Sequence, residues 1–304
     1  MFSFDIREMS AGLEFKDAKP DISKTGLLQN RIFPKQGVQT GSMIMKFAIG
    51  VDCEGVACAV GSPAGSLNSS RDLEFAQLQA TREADAAARG LFDAGADQVI
   101  VWDNHNGSLN LSYDLLDSRC DIALGVGFEH RWPGVDDSFD GILFVGYHAM
   151  DNTIDGVMCH SFSSATYQYM KVNGVEVGEM AIDAAVAGEM GIPVVFAASD
   201  DKGTAEAERF FPGIQTVATK QAKGWNAAVS KHPKRAIEEI FAGAKSAAAN
   251  RGGCAPFRFD SPVELEVRYK RIEAAQAASR GYKGGERVDA YTVCHRFDRI
   301  TDYY

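Results

Sequence analysis

The chain has 304 residues, and its 31 Lys and Arg against 41 Asp and Glu give a net charge of −10 at pH 7. This acidic balance excludes a general nucleic-acid-binding protein, which needs a basic face to neutralise phosphates, and it argues against electrostatic binding to anionic lipid. A hydrophobic content of 45% with 24% charged residues is ordinary for a globular protein and excludes a disordered chain.

The sequence predicts a cytoplasmic protein. No apolar run approaches the roughly 18 residues of a membrane span, and charged residues interrupt the N-terminus from Asp5 onward, unlike a signal peptide. The six cysteines include no CxxC pair, and in a chain of this length they indicate reduced thiols. We therefore expect no nucleic-acid partner and no membrane contact.

Regular structure is predicted to begin after an N-terminal extension. Residues 1–44 lack sustained periodicity. They are interpreted either as an arm that packs on a neighbouring subunit or as a leader with no role. The segment KFAIGVD, residues 46–52, is the first predicted strand.

Strands and helices alternate over the next 150 residues. Further strands are predicted at 98–102, 121–126, 141–147 and 193–198, helices at 73–92 and 178–190, and a hairpin around Asn173-Gly174. Such alternation predicts an α/β catalytic domain over 45–200, with a mostly parallel sheet flanked by helices.

The pattern changes after residue 200. Helices are predicted at 204–211 and 233–250, and alternating strands at 262–270 and 288–297 enclose a helix at 271–280. This order predicts a smaller C-terminal α+β domain over 201–304.

Metal-ligand residue types follow strands or open a helix at four places. Asp52 and Glu54 end the first strand and share one face of an extended chain. His105 and His148 each follow a strand, and Glu179 opens a predicted helix. Because active sites of open parallel sheets gather beyond the carboxyl ends of the strands, these three acids and two imidazoles are expected to converge.

The donor types indicate divalent metal. Histidine with carboxylate suits zinc, manganese or cobalt. Five protein ligands exceed the usual three of one catalytic zinc, so they fit two ions that share a bridging carboxylate. Three carboxylates and one hydroxide balance two divalent cations, and such a pair activates water and polarises a carbonyl or phosphoryl oxygen.

Each signal taken alone also fits a structural role. An Asp-x-Glu at a strand end is commonly a solvated turn, and His105 lies in a polar loop typical of surface residues. His148 needs a polar partner, which a satisfied core histidine also has. Glu179 also complements a helix dipole.

Other polar residues near the motifs are expected to have other roles. Asp103 and Asn104 are expected to support metal-bound histidine. Surface or turn positions are expected for the remaining histidines outside these motifs, His130, His232 and His295.

The ordered motifs VDCEG, WDNH, GYHAM, GVMCHSF and VEVGEMAIDA resemble the D-aminopeptidase family of binuclear zinc metallopeptidases. The resemblance runs from about residue 45 to 219, and more weakly to about 297. It implies that Asp52, Glu54, His105, His148 and Glu179 are the zinc ligands, with Asp52 bridging. It also implies that His160 is catalytic, and that the protein forms a large ring-shaped homo-oligomer, such as a decamer, with shielded active sites.

The leading hypothesis is a metallo-aminopeptidase that hydrolyses short peptides or amino-acid amides, with D-residue preference implied by the resemblance. One alternative is another binuclear amidohydrolase or phosphoesterase. No Arg or Lys cluster lies near the motifs to hold a phosphate, which favours amide substrates. A second alternative is a non-catalytic oligomeric binding protein with a vestigial site. The presence of all five ligand residues together with His160 argues against this alternative.

Overall fold

The computed structural model describes residues 44–67, 70–281 and 283–304. These residues belong to one compact unit. The predicted extension over residues 1–44 lies outside the described range except for its last residue, so its role stays a prediction.

Twelve strands are present in the described part of the chain. They are β1 (Lys46–Val51), β2 (Gln98–Asp103), β3 (Asp121–Ala123), β4 (Gly141–Val145), β5 (Tyr167–Val172), β6 (Val175–Val177), β7 (Val194–Asp200), β8 (Gln215–Gly224), β9 (Ala227–Ser230), β10 (Val263–Tyr269), β11 (Glu286–Arg287) and β12 (Thr292–Phe297).

Five α-helices connect these strands within the described residues. They are α1 (Leu73–Asp93), α2 (Glu179–Glu189), α3 (Asp201–Phe210), α4 (Pro233–Asn250) and α5 (Ile272–Arg280). No helix in the described part of the chain combines the length and apolar character that crossing a membrane requires.

The first sheet has seven strands in the order β3-β2-β1-β4-β7-β8-β9, and all neighbours pair in parallel except β8 with β9. From β1 the chain moves outward through β2 and β3, then returns to place β4 on the other side of β1. The strand order therefore reverses between β1 and β4, where open sheets form a crevice at their carboxyl ends. The predicted mostly parallel α/β sheet is confirmed.

The second sheet is antiparallel, in the order β11-β12-β10-β5-β6. Its β5–β6 hairpin turns at Asn173 and Gly174, both with positive φ, as the Asn-Gly signal predicts. Strands β5 and β6 precede residue 200, whereas β8 and β9 follow it and belong to the first sheet. The two sheets therefore do not follow the division at residue 200.

The first sheet is covered on both faces. From β1, the side chains of Phe47, Ile49 and Val51 join the core beneath α1 and α4, and Ala48 joins the core on the α2 side. The close approach of α1 to α4 requires Gly90, where a Cβ would lie 2.4 Å from the Phe241 carbonyl oxygen. Burying each large apolar side chain contributes about 1.5–3 kcal/mol, which fixes the strands whose ends carry the site.

Candidate metal centre

The loops after β1 and β4 interlock at the point where the strand order reverses. Gly55 N donates to Gly146 O at 2.6 Å, and Asp52 N donates to Val145 O at 2.9 Å. A Cβ at Gly55 would lie 1.9 Å from the Tyr147 carbonyl oxygen, so glycine is required there. This close contact holds Asp52 and the start of the His148 loop side by side.

The two histidines that follow strands face opposite oxygens of the Asp52 carboxylate. His105 Nδ1 lies 2.8 Å from Asp52 Oδ1 and 3.1 Å from Glu54 Oε2. His148 Nε2 lies 3.5 Å from Asp52 Oδ2 and 3.3 Å from Glu179 Oε1. Asp52 is thus central to the cluster, and all five proposed ligands meet at one place.

His160 lies against this cluster. Its imidazole ring stacks on that of His148, with 3.9 Å between the ring centroids, and its Nε2 is 3.9 Å from Glu179 Oε1. Glu179 opens α2 and accepts a hydrogen bond from Phe162 N at 2.6 Å, which ties the loop after His160 to the helix. The structure therefore brings together all six residues singled out in the sequence.

Backbone carbonyls orient two of the imidazoles. His148 Nδ1 lies 3.0 Å from Ala149 O, and His160 Nδ1 lies 2.8 Å from Met158 O. Because a carbonyl only accepts, each Nδ1 carries the proton, and each Nε2 is turned toward Glu179. Such an outer hydrogen bond is the usual partner of a metal-binding imidazole.

The electrostatics of the cluster are those of a cation site. Burial acts to raise the pKa of Asp52, but the hydrogen bond and charge of His105 hold it below its usual value. Burial acts to lower the pKa of His105, but the charge of Glu54 and the hydrogen bond to Asp52 raise it to about 11. Glu179 likewise raises the pKa of His148 against the effect of burial. The negative potential that holds protons on these imidazoles also attracts a divalent cation.

The donor set fits metal ions. Two groups of side chains, one of Asp52, Glu54 and His148 and one of His148, His160 and Glu179, bring their potential ligand atoms within 4.8 Å of one another. Glu54 Oε2 is buried, and His105 Nδ1 lies 3.1 Å from it. A buried carboxylate is costly unless a cation or a hydrogen-bond donor offsets its charge. Imidazole nitrogen and carboxylate oxygen are the ligands expected for zinc.

Two buried charged residues support the loop that carries Asp52 and Glu54. Lys220 Nζ donates to the carbonyl oxygens of Glu54, Val56 and Ala59. Glu83 Oε1 accepts from Ala57 N at 2.9 Å. Sequence reasoning missed both residues, because β8 alternates only in part and the burial of Lys220 depends on contacts with the distant loop after β1.

A buried polar network lies behind the ligands. The Asp183 carboxylate accepts from Arg131 Nε and Nη2 and, at 2.8 Å, from Tyr147 Oη. Asn104 donates to Tyr147 Oη at 2.8 Å and accepts from Arg131 Nη2 at 3.1 Å. Asn104 and Tyr147 directly precede His105 and His148, and Asp183 lies one helical turn after Glu179. The network therefore links three segments that carry proposed ligands.

Sequence reasoning missed Arg131 and Asp183. Asp183, the one acid in the apolar stretch between Glu179 and Glu189 of α2, was an available signal. Of the two residues expected to support histidine, Asn104 joins the network, whereas Asp103 accepts from Asn110 N and Leu111 N and orders the loop around His105. Both residues therefore act on the loop that carries His105.

The histidines outside the cluster differ in their surroundings. His130 is exposed, and His232 accepts from Lys234 N at the start of α4, as expected for surface and turn positions. The expectation that His295 is exposed is wrong. It is 3% exposed, and its Nδ1 lies 3.1 Å from Lys283 O. The cause is the stack of aromatic rings that packs on β12 near the end of the chain.

A cavity of about 420 Å³ opens onto the cluster. Its walls include Asp52, Glu54, His105, His160 and Glu179. The lining also includes aromatic side chains and one guanidinium, from Trp102, Phe128, Arg131, Phe162 and Tyr304. The volume of the cavity is that of a small-molecule site.

Comparison with known proteins identifies the family. The model of the peptidase M55 family, described as D-aminopeptidase, matches residues 45–304. A D-aminopeptidase of Bacillus subtilis (strain 168) is 35% identical over 195 residues, which cover 63% of this chain and 69% of that protein. A solved structure described as "Zn-dependent D-aminopeptidase DppA from Bacillus subtilis, a self-compartmentalizing protease" superposes with a TM-score of 0.79 at 27% identity. It covers 84% of this chain and 93% of its own. The motifs, the fold and these matches agree: the chain belongs to the D-aminopeptidase family of peptidases.

Proposed function

We propose that this metal-dependent aminopeptidase uses two zinc ions to remove the N-terminal residue of short peptides, or to hydrolyse amino-acid amides, with preference for D-residues. The observation that carries the proposal is the convergence of three carboxylates and three imidazoles in one cluster beside a cavity, where the strand order reverses. Zinc and D-preference are supported by the descriptions of the related proteins.

The two faces of Asp52 support its assignment as the bridging ligand. Its Oδ1 is near His105 and its Oδ2 is near His148. Glu54 lies on the His105 side and Glu179 on the His148 side. Asp52, Glu54 and His105 would hold one ion, and Asp52, His148 and Glu179 the other.

When bound, the two ions supply Lewis acidity, which lowers the pKa of a water molecule and polarises the scissile carbonyl. His160 is proposed to carry protons between that water and the leaving amine. Its Nδ1–H is fixed on Met158 O, which leaves Nε2 as the working nitrogen. The stack on His148 holds the ring beside the cluster.

His160 also satisfies the distance requirement for a ligand, since it groups with His148 and Glu179. We assign it to proton transfer because its Nε2 is the most distant from a carboxylate of the three imidazoles, at 3.9 Å.

Assembly and location complete the proposal. The solved relative is described as self-compartmentalizing, which supports the predicted large ring-shaped homo-oligomer, such as a decamer, for this chain. All six cysteines are free thiols, which is consistent with a reducing compartment and with the predicted cytoplasmic location.

The test combines metal content with matched substrates. Purified protein is analysed for bound metal, and release of the N-terminal residue is followed from D-Ala-D-Ala, L-Ala-L-Ala and the two alaninamides with zinc, manganese or cobalt added. We expect near two metals per chain and faster cleavage of D-substrates. Stoichiometric metal without cleavage of any of these substrates would refute the peptidase proposal.

A further inference from the structure

The hydrogen bonds of Arg131 leave one nitrogen of its guanidinium unused. A guanidinium has five N–H donors. Its Nε–H and one Nη2–H donate to Asp183, and the second Nη2–H donates to Asn104. Both donors on Nη1 remain, and no described residue accepts from them.

Two aromatic rings hold the guanidinium in place. Its carbon Cζ lies 4.9 Å from the Trp102 ring centroid and 5.2 Å from that of Phe162. Burial acts to lower the pKa of Arg131, but the charge and hydrogen bonds of Asp183 raise it above its usual value, so the group stays charged. Stacking and a two-point ion pair make it a rigid donor.

This rigid donor faces the cavity of the metal centre. The Arg131 side chain is 18% exposed and lines the same cavity as His160 and Glu179. Phe162, which contacts the guanidinium, also donates its backbone N–H to Glu179 Oε1. Among the described residues that line the cavity, Arg131 is the only Lys or Arg.

We propose that Arg131 binds the C-terminal carboxylate of a short peptide through Nη1, and so makes the enzyme selective for peptide acids over their C-terminal amides. The inference rests on the proposed function, since it assigns the far end of the substrate whose scissile bond lies at the metal centre. Asp183 offsets the charge of Arg131 but leaves the two Nη1–H donors available. A hydrogen bond from a charged donor to a carboxylate is of the stronger class.

A purely structural role for Arg131 is the competing explanation, because Arg131 also links the segments of His105, His148 and Glu179. The two roles predict different substrate dependence. Loss of a structural support lowers cleavage of every substrate, whereas loss of a carboxylate-binding group lowers cleavage of the acid more than that of the amide.

The experiment measures the ratio of kcat/KM for peptide acid over peptide amide. D-Ala-D-Ala is compared with D-Ala-D-Ala-NH₂, and the D-Ala tripeptide with its amide, in zinc buffer, by release of the N-terminal residue. We expect the wild-type ratio to favour the acid by on the order of 10- to 100-fold in at least one pair. The ratio cancels differences in metal content and folded fraction.

The main variant is the double substitution Arg131→Gln with Asp183→Asn, which replaces the ion pair by amides and leaves no buried charge unpaired. We expect its ratio to fall to near 1. Arg131→Lys is the second variant. Lysine keeps a positive charge opposite Asp183, but it has one nitrogen where arginine has three and so has no counterpart of Nη1. Its acid-to-amide ratio should fall several-fold. Arg235→Gln, at a surface ion pair with Glu239 in α4, is the control and should keep the wild-type ratio.

The outcomes separate the two proposals. A wild-type enzyme that cleaves acids and amides equally well would overturn the role of Arg131 and leave the peptidase function intact. A preference for acids that persists in both variants would also overturn it, because another group would then bind the carboxylate. Failure of the zinc-loaded wild type to cleave any of these substrates would instead count against the proposed function.

Discussion

Replacing Lys220 by methionine should destabilise the protein and weaken metal binding together. Lys220 is 2% exposed, and its Nζ donates to three carbonyl oxygens of the segment Glu54–Ala59. Methionine fills a similar volume but donates no hydrogen bond. The substitution leaves three buried carbonyl groups without this donor in the loop that carries Asp52 and Glu54.

The magnitude follows from these contacts. Each buried acceptor left unpaired costs about 1–3 kcal/mol. Removing a buried ammonium recovers several kcal/mol of desolvation, so the net loss should be near the lower end, about 3 kcal/mol. At roughly 2–4 °C per kcal/mol, Tm should fall by about 6–12 °C. Loss of an outer hydrogen-bond partner of a metal site typically costs about 10–100-fold in metal affinity.

The assay is thermal unfolding of the metal-free protein together with zinc titration by calorimetry. Lys245→Met is the matched control, because Lys245 is 50% exposed in its surface pair with Asp93 and should change stability by less than about 1 kcal/mol. A Lys220→Met protein that matches this control in both Tm and zinc affinity would show that Lys220 does not support the loop.

Three further outcomes are expected. His148→Ala should lose at least one metal together with activity, because three carboxylates then share one fewer neutral donor; elemental analysis showing two metals with normal turnover would contradict its assignment. His160→Ala should lose about 10²–10⁴-fold in kcat while it keeps both metals and its Tm, and loss of metal would instead make it a ligand. Burial raises the pKa of Glu83 from 4.5 to about 7, against the lowering effects of Gln79, the Ala57 N–H and Lys220. A carboxyl with a raised folded-state pKa contributes stability below pH 4.5 that is lost as pH rises to 7, about 3 kcal/mol in all. The free energy of unfolding in urea should therefore decline more steeply between pH 5 and 8 for the wild type than for Glu83→Gln. Parallel declines would refute the raised pKa of Glu83.

Local signals in the sequence were sufficient for most of the elements. Apolar runs of strand length predicted β1, β4 and β7, and the 3.6-residue spacing predicted α1. The Asn173-Gly174 pair predicted the β5–β6 hairpin. Strands β8 and β9 were not predicted, because β8 carries lysine, threonine and glutamine within its ten residues and alternates only in part. Its Lys220 is buried by contacts with the β1 loop, which no local pattern reveals.

The candidate site was predictable to the extent that its residues end predicted elements. Asp52, His105 and His148 each follow a strand of the first sheet, and the reversal of strand order brings them together. Arg131 was not found, because it lies in an irregular loop and its partner Asp183 is 52 residues away. The pairing of β5 with β10 is equally non-local, and no local pattern predicts it.

The order of the ligands along the chain has a consequence for biosynthesis. Asp52 and Glu54 follow β1, and His105 follows β2; these two strands are neighbours in the sheet and are synthesised early. Glu179 follows the β5–β6 hairpin. Strand β5 of this hairpin also pairs with β10, which ends only at residue 269. The strands that position the half of the centre around His105 are therefore synthesised before those that position the half around His148. Because metal binding to such sites is coupled to folding, a ribosome-bound chain halted before residue 263 should retain metal less tightly than the released protein.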